Sequence, residues 1–144
     1  MELQLSNFKH SLEIQIRFND IDSFNHVNNA ITHEYFDLGR MSYLSDILNF
    51  EYIKLDDKNL VIVSTKTDFI QPVHLEDKLT VYTKVFYIGD KSLKMMQWLV
   101  KDGKTTPAVT CASVMAGFIP SKEISMEIPD KWRIALNQYE SGDC

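Results

Sequence analysis

The chain has few of the residues that staple small secreted scaffolds together or separate one domain from the next. Only two of its 144 residues are cysteine, and the four prolines stand singly. Cys111 lies in an apolar run and Cys144 is the last residue, so we expect two free thiols in a reducing cytoplasm and no disulfide framework. Because repeats, low-complexity tracts and Gly/Ser linkers are also missing, the sequence predicts a single domain over residues 1–144.

Positive charge is scarce as well. The formal net charge is -5 and the sequence pI is about 5.3, so no overall field attracts a polyanion such as nucleic acid or an anionic membrane surface. No apolar stretch approaches the roughly 18 residues that a membrane-spanning helix requires. We therefore expect a cytoplasmic protein with no nucleic-acid partner and no membrane segment.

The first half of the chain predicts a strand followed by one long helix. Residues 10–18 alternate between apolar and polar side chains, as in a half-buried strand. From about Asn29 to Leu48, apolar residues recur at helical spacing and no proline interrupts them. These positions are Ile31, Tyr35, Leu38, Met41, Leu44 and Leu48. Asn28 or Asn29 can cap the helix, and Gly39 in its middle is best explained by a close approach of another backbone or side chain.

The second half predicts four more strands and a short terminal helix. Residues 60–71, 78–88, 92–100 and 107–119 are rich in Val, Ile, Thr, Tyr and Phe, and the terminal helix is expected over 130–139. Short connections, including the hairpin signal Asp102-Gly103, make the sheet antiparallel. Large apolar side chains lie on both faces of these strands, and one helix covers only one face. We therefore predict an α+β domain that assembles into a homo-oligomer, a dimer or a tetramer.

The segment 17–29 runs directly from the first strand into the long helix, and it contains most of the residues suited to chemistry. Two interpretations stay open from the residues alone. Asp20 and Asp22 can be turn formers and Asn28 or Asn29 a helix cap, all satisfying loop amides. Alternatively, the first amides of the helix surround an oxyanion position beside a carboxylate that attacks a carbonyl or activates water. This second arrangement suits a thioester, whose thiolate departs without a metal or a strong acid.

The sequence also resembles the 4-hydroxybenzoyl-CoA thioesterase branch of the hotdog superfamily, which includes the short bacterial acyl-CoA thioesterases. The residues that carry this resemblance, in order, are Arg17, Asp20-Ile21-Asp22, His26-Val27-Asn28-Asn29, Tyr35-Phe36-Asp37 and Arg40. The glycine common before His-Val-Asn-Asn in that family is Asn25 here, and asparagine tolerates a left-handed backbone. The resemblance implies a hotdog fold, in which a curved antiparallel sheet of about five strands wraps one long central helix. It also implies active sites at the interface between paired subunits.

Matched position by position, the resemblance implies a role for each residue of the loop. The catalytic carboxylate falls on Asp22, and the helix amide that polarises the thioester carbonyl falls near Asn29. Asp20, His26 and Asn28 then support the loop or the substrate. Whether Asp22 acts as a nucleophile or as a general base stays open.

Further candidates lie outside the loop. Thr65 and Thr67 alternate on a strand and can line the site. Lys91 and Ser92 stand at a hairpin where the family meets the CoA nucleotide; they can hold its phosphate or form an ordinary solvated turn. The histidines are scattered without Zn-ligand spacing, so we predict no metal. We also expect no cofactor, because CoA is part of the substrate. An ion pair between Asp37 and Arg40 is predicted to be structural.

The leading hypothesis is an acyl-CoA thioesterase, and two alternatives from other classes accompany it. A hotdog domain of this kind can bind acyl-CoA without cleaving it, although a binder has no need of an acid beside a helix start. The second alternative is that the chain is a hotdog dehydratase, which usually combines a histidine with a carboxylate. His26 is the only candidate histidine.

Overall fold

The structure is a computed structural model that describes residues 2–49 and 57–141. The first strand, β1, runs over His10–Ile14, and the long helix α1 over Asn29–Leu48. The remaining strands are β2 (Asn59–Phe69), β3 (Leu79–Ile88), β4 (Ser92–Lys101), β5 (Val109–Ile119) and the two-residue β6 (Ile124–Ser125). Helix α2 covers Asp130–Ser141, which confirms the predicted terminal helix. Cys144 lies outside the described residues.

The strands form one antiparallel sheet in the order β1-β3-β4-β5-β2, with the short β6 paired to β5. Each hairpin joins neighbours in the sheet, whereas α1 connects the two edge strands, β1 and β2. The predicted α+β hotdog architecture, a long helix against a curled antiparallel sheet, is therefore confirmed. The two-residue β6 was not predicted.

Strand β1 is shorter than the alternating pattern suggested. Residues 15–18 do not continue the strand, because the backbone turns into a short 3-10 helix over Phe18–Asp20 that the Asp20 side chain closes on the Arg17 amide. The Phe18 side chain, expected on the buried side, is 79% exposed. The prediction of a strand to residue 18 was therefore wrong at its last four positions.

Helix α1 begins and ends at asparagine residues. The side chain of Asn28 accepts a hydrogen bond from the Ala30 amide at 2.8 Å, which confirms the predicted N-cap. Asn49 ends the helix in the left-handed conformation with φ 59°. The buried face is offset from the predicted stripe, because Leu38 is 51% exposed. The positions that are buried are Thr32, Tyr35, Phe36, Gly39, Arg40, Tyr43 and Leu44.

At Gly39 the backbone of α1 lies very close to the side chains of the sheet. A Cβ at this position would stand 2.7 Å from Val81 Cγ1 and 3.1 Å from Gln97 Nε2. Only glycine lets the helix reach this distance from β3 and β4, which confirms that a close approach explains the residue. Arg40 lies beside it and donates to Asp37 at 2.6 Å and to the buried Gln97 at 3.0 Å, so the predicted intrahelical ion pair is confirmed.

The outer face of the sheet is partly covered by the chain's own N-terminal segment. Phe8, Trp98 and Val100 are buried together there, and Leu3 and Leu5 pack against them. The opposite half of the sheet ends at β2, whose far edge has no neighbouring strand among the described residues. Exposed apolar side chains continue along this edge, namely Ile62, Val63, Phe69 and Ile70. Within the described residues, no helix combines the length and apolar character that crossing a membrane requires.

Candidate active site

Asp20 fixes the loop between β1 and α1. Its carboxylate is 1% exposed and accepts hydrogen bonds from the Arg17 amide at 3.0 Å, the Arg17 guanidinium at 2.9 Å and the Tyr35 hydroxyl at 2.5 Å. Burial raises the pKa of Asp20, but the hydrogen bonds from Tyr35 and Arg17 outweigh it and the pKa is lowered overall. Asp20 is therefore a charged structural anchor between the loop and the helix.

We expect Asp20→Asn to lower the free energy of unfolding by about 1–3 kcal/mol at neutral pH, because an amide has one acceptor oxygen and cannot accept the four hydrogen bonds that the two carboxylate oxygens accept. Urea unfolding measures this loss. Since the folded state lowers the pKa of Asp20, its contribution is fully present above the ordinary pKa of an aspartate. It disappears as the pH falls through the lower folded-state value. The difference between the parent and the variant should therefore shrink under acidic conditions.

Asp102→Asn is the matched control for this variant, because Asp102 is an exposed aspartate in a turn that tolerates asparagine. It should change the stability by no more than about 0.5 kcal/mol. Equal losses in the two variants, or a loss at Asp20 that does not depend on pH, would contradict the structural role of Asp20.

Asp22 organises the rest of the loop. Its Oδ1 accepts hydrogen bonds from the amides of Phe24 at 2.9 Å and His26 at 3.1 Å. The backbone closes the same turn, with the Asp22 amide donating to the His26 carbonyl at 2.8 Å. Asn25 adopts φ 60°, the left-handed conformation expected when it replaces glycine. The side chain of Asp22 is exposed, and no described residue donates to its Oδ2, so one carboxylate oxygen is free to react.

The start of α1 provides unpaired amides close to this carboxylate in sequence. The first amides of a helix have no partner within the helix and carry partial positive charge. Asn28 satisfies the Ala30 amide, and its carbonyl accepts from the Thr32 amide at 3.0 Å. The Asn29 amide donates to no protein atom of the described residues. It can therefore donate to a carbonyl oxygen of a bound molecule.

A cavity of about 200 Å³ lies between the helix start and the connection from β2 to β3. Its lining residues are His26, Val27, Asn29, Thr32, Phe69, Ile70, Gln71, Pro72, Val73 and Val109. The Val27 amide donates to the Val73 carbonyl at 2.7 Å and so holds the two walls together. Asn29 and His26 belong to this lining, whereas Asp22 lies outside it, on the exposed part of the loop. Convergence of Asp22 and Asn29 on one carbonyl stays a prediction.

Thr65 and Thr67 lie farther along β2. Thr67 is paired with Cys111 and Thr65 with Ser113, while the cavity residue Phe69 is paired with Val109. Directly paired residues share a face of an antiparallel sheet, so Phe69, Thr67 and Thr65 form a continuous row leading away from Asn29. The structure places the two threonines beyond the residues that line the cavity. Burial raises the pKa of the Cys111 thiol in the same row, which keeps it protonated.

Lys91 and Ser92 lie far from Asp22 in the same chain. They follow Ile88, the last residue of β3, whereas the aspartate loop follows Ile14, which pairs with Leu79 at the beginning of β3. Ten strand residues separate these ends by roughly 30 Å. A single chain therefore does not bring the two predicted groups together.

Two histidines meet beside the cavity although they are remote in sequence. The rings of His26 and His74 have centroids 5.2 Å apart and planes at 74°. Sequence reasoning missed His74, because no local signal indicates that the connection between β2 and β3 folds onto the aspartate loop. No group of three or more His, Cys, Asp or Glu side chains within residues 2–49 and 57–141 is arranged to hold a metal ion.

Comparison with known proteins identifies a family whose model matches most of the chain. The model of a family described as the Thioesterase-like superfamily matches residues 16–136. The protein YsmA of Bacillus subtilis (strain 168) is 27% identical over 114 residues, which cover 76% of this chain and 73% of YsmA.

Solved structures share the fold across nearly the whole chain. A protein of Pseudomonas aeruginosa strain PAO1 is similar with a TM-score of 0.85 and 21% identity, covering 94% of each chain. A thioesterase from Thermus thermophilus, crystallised with coenzyme A and Zn, is similar with a TM-score of 0.81 and 22% identity, covering 96% of this chain and 98% of that chain. At this identity the likeness establishes the fold.

Proposed function

Because the chain belongs to the Thioesterase-like superfamily, we propose that it is an acyl-CoA thioesterase, which releases a free acid and CoA. One observation carries the proposal: a carboxylate with a free oxygen, Asp22, stands in the loop that leads into a helix whose first residue, Asn29, lines a cavity and has an amide without an acceptor among the described residues. A carboxylate and oriented N–H donors are the two groups that thioester hydrolysis requires. The crystallised relative from Thermus thermophilus, a thioesterase with bound coenzyme A, supports the same class of substrate.

In the proposed reaction, the Asn29 amide donates to the thioester carbonyl oxygen and stabilises the negative charge that develops on it. Asp22 either removes a proton from the attacking water or attacks the carbonyl carbon itself. In the second case it forms an anhydride that water then hydrolyses. In both cases the carbon–sulfur bond breaks, the CoA thiolate leaves, and one water oxygen ends in the carboxylic acid. Asn28 and Asp20 hold the helix start and the loop, while Thr65 and Thr67 border the acyl chain.

A second copy of the chain completes the proposed site. The free edge of β2 and its exposed apolar side chains fit pairing with an identical strand. Antiparallel pairing across a two-fold axis reverses the second sheet, so its hairpin end lies at the same end as the aspartate loop of the first subunit. The partner subunit's Lys91 and the partner's Ser92 would then be available for the CoA phosphates. We propose the cytoplasm as its location, in keeping with the free thiol of Cys111.

One observation favours a second candidate, an acyl-CoA-binding domain without hydrolytic activity. Asp22 already serves the loop, because its Oδ1 holds the amides of Phe24 and His26. An acid used only in this way gives a correctly folded loop and no chemistry. The two candidates differ in whether the bound thioester is cleaved.

We expect the purified protein to release free CoA from acyl-CoA esters, because the exposed oxygen of Asp22 and the Asn29 amide supply the groups that hydrolysis needs. A thiol-reactive dye measures the release across a panel of straight, branched and aromatic acyl groups of increasing length. At least one ester should be hydrolysed with kcat near the usual range of about 1–1000 per second.

Binding of the panel without thiol release would support the non-hydrolytic candidate and overturn the thioesterase. A 3-hydroxyacyl-CoA in the same panel tests the dehydratase alternative, since loss of water forms an enoyl thioester that absorbs in the ultraviolet. Formation of that product without free CoA would replace hydrolysis by dehydration as the reaction.

A further inference from the structure

His26 forms part of the cavity wall next to the start of α1. Its amide donates to Asp22 Oδ1 at 3.1 Å, and the residue lines the same cavity as Asn29. The side chain of His26 makes no hydrogen bond within the described residues. Ring contacts are therefore what hold it: its centroid lies 6.5 Å from that of Phe24 and 5.2 Å from that of His74. Phe24 is 77% exposed and is held weakly, so the orientation of His26 depends mainly on His74.

His74 is itself firmly anchored. Its amide donates to Asp77 Oδ2 at 2.8 Å, and its ring Nδ1 lies 3.5 Å from the same oxygen, at ion-pair distance. Lys101, at the end of β4, places its ammonium 3.3 Å from that carboxylate. Burial raises the pKa of Asp77, but the hydrogen bonds from His74 and Lys101 outweigh it and lower the pKa overall. A carboxylate that stays charged at neutral pH thus ties His74 to the sheet.

The segment that carries His74 also contacts the loop through the backbone. The preceding residue, Val73, is 4% exposed and accepts a hydrogen bond from the Val27 amide at 2.7 Å. The residues after His26 and before His74 are therefore fixed to each other. Because the two backbones are held together, each ring can move only by rotation about its own side-chain bonds. The edge-to-face contact between the rings restricts this rotation as well. His74 is therefore a rigid support for the His26 ring, which forms part of the cavity wall.

We propose that His74 is a positioning residue for the thioesterase site: anchored by Asp77 and Lys101, it holds the imidazole of His26 in the cavity wall, and that ring, whose own amide is bonded to Asp22, orients the attacking water. The effect of His74 on catalysis rests on the proposed function. Its contact with the His26 ring rests on the ring geometry alone. Lys101 and Asp77 act only through His74. His74 contacts no substrate in this arrangement, since it does not line the cavity.

The experiment compares His74→Ala with His74→Phe. Phenylalanine keeps a ring that packs edge to face on His26, whereas alanine removes it. In His74→Ala we expect kcat to fall about five- to tenfold while KM stays within about twofold, because orientation is lost and binding is not. His74→Phe should recover most of kcat. A substitution that acted only on general stability would not give this split or this rescue.

Proton NMR of the His26 ring gives a second readout that requires no activity. Removal of the neighbouring ring in His74→Ala should move the ring-proton resonances of His26, and His74→Phe should retain a ring-current shift. His33→Ala is the matched control, because His33 makes the same kind of perpendicular ring contact, with Phe69 at 6.3 Å and 85°. It should leave the His26 resonances in place.

The two proposals fail separately. Unchanged His26 resonances in His74→Ala, or a kcat equal to that of the parent, would overturn the role of His74. A parent protein that hydrolyses no ester would overturn the thioesterase, while the NMR comparison would still decide whether His74 holds the His26 ring.

Discussion

Replacing Asp22 with asparagine is expected to lower kcat for acyl-CoA hydrolysis by at least about a hundredfold, the lower end of what a positioned acid or base contributes. The substitution is unusually selective. Asp22 Oδ1 holds the amides of Phe24 and His26, and the amide oxygen of asparagine can accept the same two hydrogen bonds. Only the charge and the reactive Oδ2 are lost. Steady-state kinetics by thiol release measure the effect on the best ester of the panel.

Asp22→Ala is the matched comparison for the structural part of the role. Alanine removes the acceptor for both loop amides, so we expect a loss of about 1 kcal/mol in the free energy of unfolding, as for a lost cap. Asp22→Asn should unfold at the parental urea concentration. If Asp22→Asn hydrolysed the ester at the parental rate, Asp22 would be only a turn former and the carboxylate mechanism would be wrong.

The fold could be predicted because its signals are local. The helical spacing from Asn29 to Leu48, the cap at Asn28 and the turn at Asp102-Gly103 are all readable within a few residues, and each stands where expected. Gly39 also gave a correct prediction, since a glycine inside a helix costs stability unless something lies close. The errors concern the end of β1, the unpredicted β6 and which side of the helix faces inward. Leu38 is exposed because contacts with β1, β3 and β4 set the rotation of the helix, and helical spacing alone does not reveal them.

The site was harder to predict from the sequence, because long-range contacts also decide which of its residues are neighbours. Two aspartates stand two residues apart, and nothing local distinguishes them; burial against Tyr35 makes Asp20 an anchor, while exposure leaves an oxygen of Asp22 free. Lys91 carries a hairpin signal, but its place at the far end of β3 follows from sheet order. His74 meets His26 only because two distant loops converge. Residue types thus indicated the chemistry, and long-range topology decided which of them are neighbours.

The second large effect is expected at the free edge of β2. Val63 is 58% exposed on this edge strand, at the point where the pairing of β2 with β5 is interrupted by a bulge. If an identical strand pairs there, Val63→Asp places two unpaired carboxylates in the interface, one from each subunit. Because burial of unpaired charge is strongly unfavourable, the variant should be monomeric. Its kcat/KM should fall at least about tenfold, since the partner subunit's Lys91 no longer reaches the CoA phosphates.

Analytical ultracentrifugation measures the mass of the assembly, and the thiol-release assay measures kcat/KM. Ile134→Asp is the matched control, because Ile134 is equally exposed at 57% but lies on α2; it should leave both mass and kcat/KM unchanged. A Val63→Asp protein that stays dimeric would show that the β2 edge is not the interface. A monomeric variant with parental kcat/KM would show instead that one chain holds the complete site. Loss of both properties together is the result that a site shared between two subunits requires.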